Sequence, residues 1–329
     1  MPEQEPKPSS PDRGSLTPPS SSSERAERQA IPPEVLELAE GLNLEEQYKS
    51  QFIILNEAGI LEILPETQDK GIIGIDGREY PIPTYQEILE SITPETLKLI
   101  ERKVEQGFTK LRLVPLGMPL EVLAERYKRV LLEHHSNGTL LSTDGAKLEL
   151  NRDDPLYLWE GYKGADAEGK LVYFPKQFDP GNHQGKTKQE LIDEREAWQV
   201  LLIEDLPDLP AEGQGKTLGS RKQLEANQSP KEYLNLTQSE AAYQGEQGLT
   251  PEGWLVCAIT ELAETNRQID DWQGQGKYCY NFGAYFPSVS LVPNAYFYRD
   301  DCRAHLGRYY PGSARQDRSA RSAVKIYKP

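Results

Sequence analysis

The residue types that could do chemistry are concentrated in one segment near the end of the chain. Residues 294–321 contain six arginines and three aspartates, so this segment is basic, although the whole chain has a net charge of −15. Arginine pairs with carboxylates or phosphates through two parallel hydrogen bonds, and tyrosine offers large contact area at a modest entropic cost. The composition is typical of a recognition surface, so it predicts binding rather than catalysis.

Within this segment, polar and aromatic side chains alternate irregularly with a few apolar residues. The candidate ligand-binding residues are Tyr296, Tyr298, Asp300, Asp301, Arg303, His305, Arg308, Tyr309, Tyr310, Ser313, Arg315, Asp317 and Arg318. We expect the apolar Ala304, Leu306, Ala323 and Val324 to point inward. The segment shows no helical or strand periodicity until its last residues alternate like a strand. It is therefore predicted to form contact loops that end in a terminal strand.

Two short sequences resemble the end of a phosphate-binding loop, namely Gly185-Lys186-Thr187 and Gly215-Lys216-Thr217. That motif requires a glycine five positions before its second glycine. The chain has Pro180 and Pro210 at those positions. Both sequences are therefore interpreted as ordinary loops that contain glycine.

Nucleophilic and metal-binding chemistry has equally little support in the sequence. Cys302 and His305 are three residues apart, but a nucleophile needs a base that the fold places beside it. His134 and His135 lie at a predicted helix end without further ligands at metal-binding spacing. The paired aspartates are interpreted as solvated turns in an acidic chain. We therefore predict no catalytic residue, no metal and no cofactor.

The bulk composition limits the class of protein. The chain has 329 residues, of which 37% are hydrophobic. No run of about 18 apolar residues is present, so no membrane span is expected. Three cysteines are too few for a disulfide scaffold, and together with the missing signal sequence they predict a cytoplasmic protein. The acidic charge makes a general nucleic-acid coat protein improbable.

Three regions with different textures must position the basic segment. Residues 1–30 are rich in Pro, Ser and Glu and are predicted to be disordered. Residues 31–140 are predicted to form a smaller α+β region of unknown role. Residues 141–329 are predicted to form a second α+β domain, in which two helices lie among short antiparallel strands. These helices are expected to begin after the N-caps Ser229 and Thr250, each of which is followed by proline.

The end of the chain resembles the variable proteins of diversity-generating retroelements, in a divergent form of their formylglycine-generating-enzyme-like subtype. The resemblance covers about 35 residues and rests on Asn294-Ala295-Tyr296, Cys302-Arg303-Ala304, Pro311-Gly312 and the closing stretch from Ala320 to Ile326. Ala320-Arg321-Ser322 stands where that subtype has Gly-Phe-Arg. The resemblance implies a C-type-lectin fold and a non-catalytic protein. It also implies that an error-prone reverse transcriptase rewrites adenine positions in the 3′ end of the gene, so that residues 294–321 become a hypervariable binding surface.

Codon arithmetic gives a separate indication of diversification. An asparagine codon that changes only at its adenines never encodes Trp, Met, Lys, Gln or Glu. These five types make up roughly a quarter of the chain, so about five would be expected between Tyr298 and Arg318. Gln316 is the one that occurs.

Two other functions stay open at this point. The arginines and tyrosines of the segment could contact phosphates and stack on bases, which is the chemistry of a nucleic-acid or polyanion binder. An enzyme of unknown class has no positive support. For the first function the expected partner is a protein or another macromolecule of unknown identity.

Overall fold

The computed structural model describes residues 31–167, 169–274 and 276–327, and it confirms the α+β class. These residues form eight α-helices, three short 3-10 helices and seventeen strands in five sheets. The predicted disorder of residues 1–30 concerns residues outside those ranges. No helix in the described part of the chain is long and apolar enough to cross a membrane.

The elements are numbered in chain order. The helices are α1 (Pro33–Gly41), α2 (Leu44–Glu57), α3 (Tyr85–Glu90), α4 (Pro94–Glu105), α5 (Leu120–Ser136), α6 (Lys188–Asp193), α7 (Pro230–Ser239) and α8 (Pro251–Thr265). The strands are β1 (Glu62–Ile63), β2 (Lys70–Ile73), β3 (Glu79–Pro81), β4 (Phe108–Val114), β5 (Leu156–Leu158), β6 (Val172–Tyr173), β7 (Gln199–Glu204), β8 (Thr217–Leu218), β9 (Arg221–Lys222), β10 (Glu246–Gly248), β11 (Asp271–Trp272), β12 (Tyr278–Tyr280), β13 (Ala284–Tyr285), β14 (Val292–Tyr298), β15 (Arg303–Tyr309), β16 (Arg318–Ala320) and β17 (Ser322–Lys325).

Local sequence signals place the helix starts. The Ser229 side chain accepts a hydrogen bond from the backbone N–H of Glu232, whose carboxylate in turn accepts from Ser229, so α7 begins with a capping box. The Thr250 side chain caps α8 by accepting a hydrogen bond from the backbone N–H of Gly253. Both starts agree with the prediction. Thr187, the last residue of Gly185-Lys186-Thr187, is the N-cap of α6, and its side chain accepts a hydrogen bond from the backbone N–H of Glu190.

A four-stranded antiparallel sheet, with the order β10-β17-β7-β4, lies at the centre of the fold. Every residue of β7 is buried, so this strand needs a neighbour on each side, and it has β17 on one side and β4 on the other. The helices α2 and α8 pack against β4, and α5 packs against α8. The terminal strand predicted from the sequence is thus an interior strand of this sheet.

The place of β4 corrects the predicted division of the chain. This strand lies within residues 31–140, which were expected to form a separate region, yet it is hydrogen-bonded to β7 from the second region. One hydrophobic core runs from Val35 to Ile326 across the expected boundary. The change in sequence texture near residue 140 therefore marks a change in the type of element, not the edge of a core.

A second, six-stranded sheet is built largely from the basic segment. Its order is β16-β12-β14-β15-β5, and β11 also pairs with β14. The prediction of loops in this segment is wrong for β14, β15 and β16, which are regular strands. The alternation is hidden in the sequence because one face carries small residues such as Ala295 and Ala304, while the other carries aromatic rings that pack on one another.

Candidate binding surface

The antiparallel pair β14 and β15 separates inward from outward positions. Ala295 lies opposite Leu306 and Phe297 lies opposite Ala304, and all four side chains are at most 1% exposed. Successive residues of a strand point to opposite faces. The residues between these four therefore point away from the core. Ala323 and Val324, also expected to point inward, are fully buried in β17.

We call the side of the six-stranded sheet opposite to Ala295, Phe297, Ala304 and Leu306 the outer face. One end of it, at Tyr280, is covered by a second buried cluster that includes Tyr233 of α7. The pairing registers place these residues on the outer face: Tyr157, Trp272, Tyr278, Tyr280, Asn294, Tyr296, Tyr298, Arg303, His305, Tyr309 and Arg318. They come from six strands that span more than half the length of the described chain. The outer face is therefore a product of sheet pairing rather than of one loop.

A row of aromatic rings crosses the middle of the outer face. The ring of Tyr296 stacks on His305 with centroids 4.8 Å apart and an interplanar angle of 19°. On its other side Tyr278 contacts Tyr296, and Trp272 contacts Tyr298 at 4.6 Å. Aromatic pairs contribute roughly 0.5–1.5 kcal/mol beyond the area that they bury. The side chains of the row are therefore already held in place by one another before a ligand binds.

His305 joins this row to the turn between β14 and β15. Its Nε2 is 2.8 Å from Asp301 Oδ2, and its Nδ1 is 3.3 Å from the hydroxyl of Tyr296. A carboxylate can only accept, so Nε2 carries the proton and Nδ1 accepts from Tyr296. Burial lowers the pKa of His305 in spite of the nearby Asp301, and burial raises the pKa of Tyr296 to about 12. The chain from Asp301 to Tyr296 therefore holds a neutral imidazole at neutral pH.

Asp301 also fixes the orientation of Arg303. Arg303 Nε donates to Asp301 Oδ2 over 2.8 Å, and Arg303 Nη1 lies 2.5 Å from Asp154 Oδ2. The guanidinium sits 5.5 Å from the ring centre of Tyr157. One carboxylate thus binds both His305 and Arg303, and it determines the positions of both side chains on the outer face.

Arg318 lies between two tyrosine rings at the opposite edge of the outer face. Its guanidinium carbon is 3.4 Å from the ring centre of Tyr309 and 4.5 Å from that of Tyr278. Cation–π contacts of this kind are favourable by roughly 0.5–2 kcal/mol. Asp317 is the nearest carboxylate, with Oδ1 at 3.7 Å from Nε. The side chain is therefore held mainly by the two rings.

Most arginines of the basic segment lie beside carboxylates, some of them in the interior and some at the surface. Five of its six arginines lie within 4 Å of a carboxylate; the pairs are Arg299 with Asp271, Arg303 with Asp301 and Asp154, Arg315 with Asp317, Arg318 with Asp317, and Arg321 with Asp270. Arg308 instead lies over the ring of Trp159 at 5.1 Å. The segment is consequently not a free cationic patch.

The structure places the predicted binding residues in three groups. Asp300, Arg308, Tyr310 and Arg315 are exposed; Tyr296, Tyr298, Asp301, Arg303, Tyr309, Ser313 and Asp317 are half-buried; His305 and Arg318 are buried. His305 and Arg318 depart from the prediction, because their flat side chains lie between neighbouring rings. Arg308 departs in another way, since the alternation of β15 places it on the side of Ala304 and Leu306. Tyr310, Ser313, Arg315 and Asp317 lie in the connection from β15 to β16.

Sequence reasoning missed the contribution of more distant segments. Tyr157 comes from β5, Trp272 from β11, and Tyr278 and Tyr280 from β12. Trp272 is a half-buried member of the outer face. The alternate spacing of Tyr278 and Tyr280 was a usable signal for a strand with one aromatic side. Nothing local indicated that these residues meet Tyr296.

Candidate catalytic and metal-binding arrangements are not assembled on this surface. The thiol of Cys302 donates to the backbone carbonyl of Arg299, and both ring nitrogens of His305 are engaged elsewhere. Burial raises the pKa of Cys302, which disfavours the reactive thiolate. Within residues 31–167, 169–274 and 276–327, no group of three or more His, Cys, Asp or Glu residues could hold a metal ion.

Comparison of the chain with known proteins identifies no relative. No family model matches the chain, and neither the curated proteins nor the solved structures include a significant match to it.

Proposed function

We propose that the chain is a non-catalytic ligand-binding protein that presents a diversified contact surface on a C-type-lectin scaffold. The observation that carries this proposal is the separation of side chains on β14 and β15. Inward residues such as Phe297 and Leu306 are buried in the core, while outward residues such as Tyr298 and Arg303 make no part of it. Outward side chains can therefore change without opening the core, which is the physical requirement for a variable binding site.

The positions of the resemblance motifs support the proposal. Asn294-Ala295-Tyr296 lies on β14, Cys302-Arg303-Ala304 begins β15, and the closing motif runs through β16 and β17. The first motif thus places the small inward residue Ala295 between two outward ones, and the second ends on the inward residue Ala304. The helices α7 and α8 among short strands, and a terminal strand inside a sheet, are also compatible with a lectin-like scaffold.

The chemistry of the outer face favours a macromolecular partner. Rigid tyrosines combine large contact area with a polar tip, and Asp300 adds an exposed carboxylate. Trp272, Tyr296 and Tyr298 already pack together, so little side-chain freedom is lost on contact. A protein surface with mixed polar and apolar groups fits this arrangement better than a small apolar molecule.

Nucleic-acid or polyanion binding is the weaker proposal. Bases could stack on the exposed ring of Tyr310, and phosphates need unpaired cations. Five of the six arginines already lie beside carboxylates, so a phosphate that contacts any of these five would have to displace a carboxylate. A polyanion would bind with an affinity that falls steeply with salt, whereas a protein ligand of the outer face would show a much flatter response.

The DNA around the gene tests the diversification part of the proposal. We expect a near-identical, adenine-rich repeat downstream of the 3′ end, together with a gene for a reverse transcriptase. Mismatches between the two copies should coincide with adenines in the template copy. Flanking DNA with neither feature would contradict diversification, but it would leave the binding role of the outer face untouched.

Two matched libraries test the binding part. One randomises the outer residues Tyr298, Asp300 and Arg303; the other randomises the inward residues Phe297 and Leu306. We expect most members of the first library to fold and some of them to acquire binding to immobilised proteins absent from the parent. Members of the second should mostly be unfolded. A first library that is as poorly folded as the second would refute the proposal.

A further inference from the structure

Away from the outer face, a lysine, two carboxylates and a tyrosine meet in the protein interior. Lys188 Nζ, from α6, lies 2.5 Å from Asp166 Oδ1 and 2.9 Å from Glu252 Oε1. The side chains of Lys188 and Glu252 are fully buried, and that of Asp166 is 17% exposed. The hydroxyl of Tyr173 donates to Glu252 Oε1 over 2.8 Å. We call these four residues the Lys188 cluster.

The hydrogen bonds of the cluster orient the amine and the carboxyl group of Asp166. The backbone N–H of Leu120, the first residue of α5, donates to Asp166 Oδ2 over 2.8 Å. Lys188 Nζ also donates to the carbonyl of Met118 over 2.9 Å. Among the described residues, neither Oε2 of Glu252 nor Oδ1 of Asp166, both buried, accepts a hydrogen bond. The cluster therefore contains an amine in contact with a carboxyl group, and beside them a carboxylate oxygen with a free acceptor position.

The charges of the cluster do not balance when all three groups are ionised. One ammonium then faces two carboxylates in a buried site, which leaves one negative charge in excess. Burial lowers the pKa of Lys188, but the charges of Glu252 and Asp166 outweigh this effect and raise it. The ammonium form therefore predominates, and the reactive form is the minor one in which one ammonium proton has moved to Asp166, so that a neutral amine lies beside a carboxylic acid. A low-dielectric interior favours such a neutral pair more than water does.

We propose that Lys188 and Asp166 condense to an intramolecular amide bond, with Glu252 as the proton-transfer group. The neutral Nζ attacks Cγ of the protonated Asp166 carboxyl group, and the N–H of Leu120 stabilises the negative charge that develops on Oδ2. Glu252 takes a proton from the nitrogen and delivers it to Oδ1. The bond between Cγ and Oδ1 breaks, and Oδ1 leaves as water. The products are one amide and one water molecule, and no oxidant or cofactor is needed.

Fixed proximity replaces the activation that such a condensation needs in solution. Well-oriented groups react as if their partner were present at very high effective concentration. Four elements supply this orientation. Lys188 lies on α6, Glu252 on α8 and Tyr173 on β6, and the Leu120 N–H that binds Asp166 begins α5. The amide would close a covalent loop between residues 166 and 188 and tie α6 to the connection that precedes β6.

A second buried lysine provides an internal comparison. Lys103 Nζ lies 2.6 Å from Glu246 Oε1, and both side chains are fully buried. Glu246 also accepts hydrogen bonds from Arg221 and Ser322. These donors occupy both oxygens of Glu246, including the one that a condensation would have to release as water. Lys103 should therefore remain a free amine.

Intact-protein mass spectrometry of the purified full chain tests the proposal. The wild-type mass should be lower than the sequence mass by one water. Lys188→Arg keeps the positive charge, but its guanidinium stays protonated and does not attack a carboxyl group, so this variant should have its full sequence mass. Glu252→Gln removes the proton-transfer group and should also show the full mass. Folded wild-type protein with its full sequence mass would overturn the proposal, even if neither variant folds.

Peptide mapping separates this amide from other losses of water. Asp76-Gly77 and Asp144-Gly145 can lose water by forming succinimides, which hydroxylamine cleaves. The proposed amide resists hydroxylamine and blocks tryptic cleavage after Lys188, so digestion should release one branched peptide that contains Asp166 and Lys188. A linear peptide that ends at Lys188 would contradict the amide, as would a water loss that maps to either Asp-Gly sequence.

Discussion

Lys103 on α4 and Glu246 on β10 form an ion pair of 2.6 Å although 143 residues separate them. Arg221 binds the same carboxylate at 2.7 Å and also lies 3.1 Å from Glu204. This buried network crosses the position near residue 140 where the sequence suggested a boundary. Because buried charges need their partners, the two halves of the chain cannot be separated without leaving charges unpaired.

Glu246→Gln should therefore be among the most destabilising single substitutions in the protein. It leaves Lys103 and Arg221 in the interior with only Glu204 to balance them. We expect a loss of about 3–5 kcal/mol in the free energy of unfolding. Urea unfolding followed by circular dichroism measures this loss. Glu46→Gln, which breaks the surface contact with Lys49, is the control and should leave the midpoint unchanged.

A fragment of residues 141–329 should fail to fold. Without β4, one side of β7 loses its hydrogen-bond partner, and Glu246 loses Lys103. Apolar residues of β7 such as Leu202, which are buried in the full chain, would face water. We expect the fragment to lack a cooperative thermal transition, while the full chain shows one. A fragment that melts cooperatively would support the separate domain that the sequence suggested.

The stability of the protein should depend on the protonation of His305. Burial lowers the pKa of this histidine below its ordinary value of 6.5, so the unfolded chain binds a proton more readily than the folded protein. The free energy of unfolding should fall as the pH falls through about 6.5, and the loss should level off below the folded-state pKa. Urea titrations between neutral and mildly acidic pH measure this dependence.

His305→Gln serves as the control for this dependence. Burial also lowers the pKa of His134, so part of the slope should persist in the variant. The difference between the two pH profiles isolates His305, because both proteins keep His134. Identical slopes in the two proteins would show that His305 titrates alike in the folded and unfolded states.

An outward and an inward position of the same strand pair should respond differently to truncation of the side chain. Leu306→Ala removes a fully buried side chain from β15 and should destabilise the protein by about 2–5 kcal/mol. Tyr298→Ala removes an outward ring from β14 and should cost less, about 0.5–1.5 kcal/mol for the lost contact with Trp272. The same pair of variants measured for ligand binding should show the reverse order. Equal destabilisation by the two substitutions would mean that the outer face is part of the core.

Local signals in the sequence were sufficient for some of the helices, such as α7 and α8. Ser229 and Thr250 mark helix starts because a hydroxyl that bonds to the third residue of a helix needs no distant partner. The run of apolar residues in β7 is likewise typical of a buried strand, because its side chains avoid water on both faces of the sheet. The α+β class follows from these elements. The resemblance at the end of the chain and its functional reading remain proposals.

Tertiary structure alone decided which surfaces these elements share. The pairing of β4 with β7 joins two regions of different texture, and no local feature of either strand specifies the other. The outer face likewise combines Tyr157 with His305 and Trp272 with Tyr298 across long stretches of sequence. Strand pairing is a contact between residues far apart in the chain, and it depends on the whole core, so a sequence read element by element does not contain it. The same holds for Lys188 and Asp166, whose contact exists only because four separate elements enclose them.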